Sequence, residues 1–350
     1  MYFKLLHKQY LYFCSMFSDV FKKSTPFLFF FFSWLFLFSP CYSQGTFKPD
    51  ITLNKLQDFS HSVSENQYSY NKKRVKLVTA ANILGYGGTL IALNAAWYSK
   101  QPRSSFHFFN DNAQWLQIDK AGHIYSAYIE SNATMEMWRW AGLERKKRIW
   151  IGGLSGVAYQ CIIEVLDGFS PDYGFSTGDL AANIVGSAAF ISQELAWDEQ
   201  KIKLKFSFHN KNYGEPDLEK RADDLYGKTA AERFIKDYNA QTYWASANLH
   251  SFFPETKLPR WLNISVGYGA EGMFGGRKNI AVDENGNVVF DRTDIKRYRQ
   301  WYLAPDIDLT KIRTNTKAIK IILFVLNSFK FPSPALEFSN GNFKGHWIAF

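Results

Sequence analysis

Cysteine is nearly absent from this chain. Among 350 residues only Cys14, Cys41 and Cys161 carry a thiol, and the first two fall in an N-terminal stretch built for removal. A lone Cys161 excludes an internal disulfide, so the fold must be held by its core. Several catalytic signatures are missing as well. There is no G-x-S-x-G, no paired C-x-x-C and no H-E-x-x-H. Nucleic-acid motifs are absent, and no repeat of fixed period is visible. Glycines crowd "GYGAEGMFGG" (267–276), but no strand–turn–helix context surrounds them. They read as a bend in a strand rather than as a phosphate loop.

Aromatic residues, by contrast, make up 18% of the chain. Part of that excess is the run "PFLFFFFSWLFLFSP" (26–40), which follows Lys22 and Lys23 and precedes "CYSQ". A basic start, an apolar core and small residues at Cys41 and Ser43 form a secretory signal peptide over residues 1–43. The run is shorter than the roughly 20 residues of a spanning helix, although an uncleaved anchor is the alternative. A lipoprotein reading through Cys41 meets Pro40, where a small residue is expected. The expected location is therefore the cell envelope, periplasmic or outer-membrane-associated. Residues 1–43 carry four lysines and one aspartate, so +6 of the formal +9 remains after cleavage. An excess of positive charge outside the cytoplasm favours anionic lipid or polysaccharide as partner, and no nucleic acid. The single dense basic run, "ERKKR" (144–148), reads as a solvated loop with a basic helix end.

Residues 44–74 are polar and unpatterned, a linker. Apolar stretches rich in Gly, Ala and Ser follow at 75–98, about 119–141, 148–167 and 178–197, so residues 75–199 read as a four-helix unit. The period then changes. "KIKLKFSFH" alternates Ile202, Leu204, Phe206 and Phe208 with Lys201, Lys203, Lys205 and Ser207, a strand with one greasy face. Strand patterns recur at 242–252, 261–274, 287–290, 298–309, 335–339 and 346–350, with "DENGN" (283–287) as a hairpin turn. A helix is expected near 316–330, ended by Pro332 and Pro334. The fold class is α+β: helices first, then a mainly antiparallel domain over 200–350, with barrel-like or half-barrel curvature. Phe350 on the final strand looks like the sorting signal of outer-membrane barrels.

Acids and an amide interrupt segments that otherwise read as buried helix. Asp119 and His123 lie four apart in "DKAGH". Glu164 and Asp167 end the third apolar run. Asp179 and Asn183 open the fourth, with Gly186 one turn on. If neighbouring helices are antiparallel, these ends share one end of the bundle. The order D-K-x-x-H, an acid after an apolar helix, then D-x-x-x-N-x-x-G resembles a family of predicted periplasmic lipoproteins, domain of unknown function 2279. More distantly, it resembles the VanZ-like membrane proteins. The residues that carry the likeness are Asp119, Lys120, His123, Glu164, Asp179, Asn183 and Gly186. It spans about residues 75–200, and the family implies no reaction.

Two function classes stay open. One is a structural or lipid- or glycan-interacting envelope protein, in which the cluster is a polar joint. Ser176 and Asp179 are spaced as a capping box, which supports it. The other is a hydrolase or transferase acting on a lipid-linked or cell-wall phosphate, with Lys120 on the phosphate and Trp115, Trp138 and Trp150 at the rim. His123, Glu164 and Asp179 suit a divalent metal cofactor, and the histidine equally suits acid–base work. Side-chain direction discriminates between them: an enzyme needs the three to converge on open space.

Overall fold

The computed structural model describes residues 68–94 and 103–349. The expected signal peptide, most of the linker and Phe350 lie outside the described residues.

Four long helices come first: α1 (Lys72–Leu93), α2 (Ile118–Trp140), α3 (Arg145–Asp167) and α4 (Thr177–Trp197). The last three pack tightly because small residues let backbones approach. A Cβ at Gly186 of α4 would collide with the Ile124 carbonyl oxygen of α2, and one at Gly156 of α3 with that of Ala127. The close approach also lets buried Ser131 donate to the Gly153 carbonyl at 2.7 Å. Tyr128, Met135, Ile149, Phe190 and Ile191 fill the core between the helices. α1 stands apart. Only Val78 is buried, and Leu77, Ile83, Leu84 and Ile91 face outward. It is tied on by hydroxyls: Tyr86 meets Thr134 at 2.7 Å and Tyr159 donates to Thr89 at 2.6 Å. By length and composition, α1 and α3 are long and apolar enough to cross a membrane.

The second half is a six-stranded antiparallel sheet in the order β1-β2-β3-β6-β7-β8. Its strands are β1 (Ile202–Phe208), β2 (Gln241–Asn248), β3 (Leu262–Glu271), β6 (Tyr298–Ile307), β7 (Ser333–Ser339) and β8 (Asn342–Ala349). β4 (Ile280–Val282) and β5 (Val288–Asp291) form a separate hairpin. Asp283 closes its turn by accepting from the amides of Asn285 and Asn287. The expected α+β class is what the chain adopts, but the sheet does not close into a barrel.

Short helices fill the connections: α5 (Pro216–Tyr226), α6 (Ala230–Lys236), α7 (Leu249–Phe252) and α8 (Lys317–Leu326). Several expected boundaries shift: α1 begins at Lys72, inside the expected linker, α3 at Arg145 and β8 at Asn342. Two of the shifts have a clear cause. β2 ends at Asn248 because that side chain turns to cap α7, accepting from the Ser251 amide at 2.8 Å. α8 ends at Leu326 because the chain beyond it goes extended against the free edge of β1. There the Phe206 amide donates to the Ser328 carbonyl at 3.0 Å and the Lys330 amide to the Phe206 carbonyl at 2.9 Å.

The sheet is inverted with respect to an ordinary soluble one. Register aligns Phe206, Tyr243, Tyr268, Trp301, Phe338 and Phe343 in one row across all six strands. α2 covers the β1–β2 end of this row: the Tyr125 ring lies 5.8 Å from both Phe206 and Tyr243. Tyr268 of β3 packs against the Ile118 cluster at the start of α2, and from β6 to β8 the row lies open, with Trp301, Phe338 and Phe343 exposed. The opposite face carries Lys205, Ser246, Asn263, Ser265, Asp306 and Glu337, all buried. Lys205 Nζ reaches Asp306 Oδ2 at 2.7 Å, with both side chains fully buried. In a flat sheet β1 and β6 would stand about 14 Å apart, three strand spacings. The direct contact therefore requires the sheet to curl around this polar interior.

Candidate functional site

The polar residues singled out in the sequence do assemble at one end of the helices. The entry to α2 is strained. Trp115, Leu116 and Gln117 are consecutive left-handed residues with φ of 48°, 48° and 65°. Such backbone costs non-glycine residues roughly 1–2 kcal/mol each. Contacts from the sheet half hold it: Trp115 N–H donates to the Gly276 carbonyl at 2.7 Å, and the Tyr268 hydroxyl donates to the Leu116 carbonyl. The turn folds the loop before α2 back over the helix start, which brings Asp111 into the cluster.

Lys120 is the hub. Its Nζ lies 2.7 Å from Asp111 Oδ1, 2.7 Å from Asp179 Oδ1 and 3.2 Å from Asp119 Oδ2. His123 is the second basic group. Its Nδ1 meets Asn183 Oδ1 at 3.1 Å and stands 3.7 Å from Glu164 Oε1. Its Nε2 stands 3.5 Å from Asp179 Oδ1 and 4.0 Å from Asp119 Oδ1. The Tyr238 hydroxyl, which arrives just before β2, donates to Asp119 Oδ1 at 2.8 Å. Ser176 caps α4 through the Asp179 amide at 3.1 Å. Its hydroxyl donates to Asp111 Oδ1 at 2.6 Å, and its amide donates to Glu164 Oε2 at 3.3 Å. The expected capping box is thus half formed: the Asp179 carboxylate turns to Lys120 and His123 instead of returning to the cap. Asp167 stays at the end of α3 and acts on Glu164 through its charge.

Burial and neighbours set the protonation states. Burial opposes the charge on Lys120, but Asp119, Asp111 and Asp179 overcome it and hold the ammonium firmly protonated. Burial likewise opposes a proton on His123. The charges of Asp119, Asp179 and Glu164, with the Asn183 acceptor, outweigh it and raise the imidazole above its ordinary value. Glu164 is pushed up to about 8, chiefly by burial. Asp179 is also raised, by burial and then by the Asp119 charge, while its neighbour Asp111 is lowered by hydrogen bonds to Asp179, Lys120 and Ser176 that outweigh its burial. The cluster therefore favours an imidazolium beside a neutral Glu164.

Six of the expected seven residues meet directly, with His123 against Asn183, Glu164 and Asp179, and Asp167 reaches them through its charge on Glu164. Asp119, His123 and Asp179 each offer a ligand atom within 4.8 Å of the others, which is metal-like spacing. Glu164, also a metal candidate in the sequence, faces Nδ1 of His123 and not Nε2. The cation position between the carboxylates is taken by Lys120, so a divalent ion there would have to displace it. Glu164 Oε1, Asp179 Oδ1 and Asn183 Nδ2 are buried without a hydrogen bond of good geometry, and ion contacts alone hold the first two. Of the three tryptophans expected at a rim, only Trp115 is near: its ring packs 5.3 Å from Tyr238. Trp138 lies fifteen residues beyond His123 on α2, about 22 Å along the axis, and Trp150 sits near the opposite, N-terminal end of α3. Asp111 and Tyr238 escaped the sequence reading because nothing in spacing relates them to α2. A strained turn delivers the first and a partner more than a hundred residues away the second.

The family described as "Predicted periplasmic lipoprotein (DUF2279)" matches residues 107–193. That stretch runs from the loop carrying Asp111 into α4. It holds every cluster member except Tyr238 and leaves the sheet outside. No curated protein and no solved structure matches the chain. The description supports an exported envelope protein. The wider likeness to VanZ-like proteins and an outer-membrane location gain nothing from it.

Proposed function

We propose that this is an exported envelope protein that rests against a lipid bilayer, with the open part of its sheet as the lipid-contacting wall. One observation carries the reading: apolar side chains of the sheet face outward from β3 to β8, while Lys205, Asn263, Asp306 and Glu337 on its other face are buried. Val266, Leu303 and Leu336 pair across three strands beside Trp301, Phe338 and Phe343, and all six are exposed. A patch of this kind is rare on a monomeric soluble protein and marks a partner surface. Lipid is the occupant we favour for three reasons. Apolar exposure continues on the helices, at Ile83 and Leu84 of α1 and Leu154 and Ile162 of α3. Exposed Trp and Phe suit the headgroup level of a bilayer. The positive net charge complements anionic lipid. The polar cluster, in this reading, pins the starts of α2 and α4 to the end of α3 and braces the helices against the sheet through Tyr238.

The test is flotation of protein expressed with its own export signal and purified from the envelope. It should float with phosphatidylethanolamine–phosphatidylglycerol vesicles. The triple variant Trp301→Asn, Leu303→Asn, Phe338→Asn should stay down while keeping its far-ultraviolet circular dichroism. Equal flotation of the variant overturns the reading. So does a dimer that the triple substitution splits, because the wall would then be a protein interface.

A further inference from the structure

A cavity of about 650 Å³ opens where the 3₁₀ turn Leu309–Lys311, α7 and α8 meet, beyond the β6 end of the sheet. Its lining is basic. Arg260, Lys311, Arg313 and Lys320 surround it together with His250, and Glu199 is its one acid. That acid is already engaged, paired with Lys311 and accepting from the Ser251 hydroxyl at 2.8 Å. Arg260, Arg313 and Lys320 are exposed and make no ion pair among the described residues. Like charges converge on one hollow at an electrostatic cost unless an anion joins them. Thr314 and Asn315 line the same hollow and add neutral hydrogen-bonding groups. His250 Nδ1 is buried there without a hydrogen-bond partner.

We propose that this cavity binds a phosphate group, as a phosphomonoester or phosphodiester, with Arg260, Arg313 and Lys320 as its recognition residues. Two guanidinium forks match phosphate oxygens in a bidentate geometry, and a lysine adds a point charge. Exposed Ile312 lines the cavity, and exposed Phe253, Trp261 and Ile319 are the chain neighbours of the lining residues Pro254, Arg260 and Lys320. A site that is cationic inside and apolar at its lip suits a phosphate carried on a lipid as well as a free one. The proposal deepens the membrane reading where the phosphate is a headgroup, yet it stands on a hollow separate from the sheet wall.

The experiment separates the two. Binding of the full chain to phosphatidylcholine vesicles, with and without phosphatidylglycerol, is compared for three proteins: the parent, the triple variant Arg260→Gln, Arg313→Gln, Lys320→Gln, and a charge-matched control, Lys228→Gln, Lys278→Gln, Lys344→Gln. All six positions are exposed, so folding is not at stake. The cavity variant should lose at least tenfold in affinity for the phosphatidylglycerol vesicles, and the control less than twofold. Phosphatidylcholine neutralises its phosphodiester with its own choline cation, so binding to it alone reports the membrane reading and should be the same in all three. Competition by millimolar glycerol phosphate would assign the site to free phosphates. Its absence, with the cavity effect retained, would assign it to lipid-borne ones. Equal losses in both triples would reduce the effect to net charge and overturn the proposal, as would no loss in either.

Discussion

Two of the buried ionic clusters among the described residues are built to different standards. In the sheet, Lys205 Nζ bonds Asp306 and the Ile307 carbonyl. Lys330 Nζ bonds the Pro305 and Phe331 carbonyls and the Ser333 hydroxyl. Asp306 accepts from the Ser246 hydroxyl at 2.6 Å and the Phe331 amide at 3.2 Å. Each of these lysine nitrogens and carboxylate oxygens has at least one partner, and none of the three side chains is exposed. At the helix ends, the Lys120 and His123 side chains keep 13% and 19% of their exposure, and three buried polar atoms lack a good hydrogen bond. A fully partnered, dry network acts as a latch. A partly exposed, incompletely bonded one leaves room for protons to move; both depend on pH, since burial lowers Lys330 of the latch to about 8, but the helix ends titrate through more groups.

The largest expected effect breaks the latch. Lys205→Met keeps the length of the side chain and removes its charge, leaving Asp306 with Lys330 at 3.6 Å as its remaining cation. Breaking a buried pair from one side costs about 3–5 kcal/mol. Urea denaturation of the purified protein should show a loss of that size, together with a larger change in tryptophan emission than any helix-end variant gives, because Trp244 lines the same interior. A loss below about 1 kcal/mol, the range of exposed ion pairs, would mean that the curl of the sheet does not depend on this contact.

The contrast between the clusters is also one of legibility. The helix-end cluster could be read from the sequence because helical spacing sets which side chains share a face. Acids and an amide in apolar helices have few reasons to be there. The latch could not be read. Alternation in "KIKLKFSFH" shows that Lys203 and Lys205 share a face, but a period of two does not say which face is the core. The greasy face of β1 went under α2, and its lysine face went inside the curl. The charged connection at 210–237 hid α5 and α6 because their apolar positions are few. The α6 capping box, Thr229 with Glu232, was the local signal that could have revealed one of them. The curl also accompanies pairing between β1 and residues 328–330, a long-range contact that no local pattern encodes.

A smaller effect tests the helix-end cluster. His123→Ala removes the imidazole between Asn183, Glu164 and Asp179 and leaves buried partners unpaired, a loss of about 1–3 kcal/mol. Its sign with pH follows from the raised folded value. The stabilisation from His123 is complete below about 6.5, its ordinary value, and is lost as pH rises through the folded value. Parent and variant should thus differ most near pH 6 and converge in alkaline buffer. A loss at pH 6 as large as that of Lys205→Met would erase the distinction between the two clusters.

The smallest effect sharpens the same point. Glu164 is pushed up to about 8, by burial first and then by the charges of Asp179 and Asp167, with His123 pulling the other way. A carboxyl raised in the folded state favours the fold while protonated. That advantage is present below its ordinary value and is lost as pH climbs toward 8. Glutamine imitates the protonated acid in shape and keeps an acceptor for the Ser176 amide. Glu164→Gln should therefore match the parent near pH 5 and exceed its stability near pH 8. Because Glu164 and His123 titrate against each other, only part of the shift is released, and the gain should be on the order of 1 kcal/mol. The measurement is a pair of denaturation curves at the two pH values. A constant difference between them would mean that Glu164 is ionised throughout, bound by a cation stronger than the imidazolium. In that case the helix ends would hold a fully partnered network like the one in the sheet.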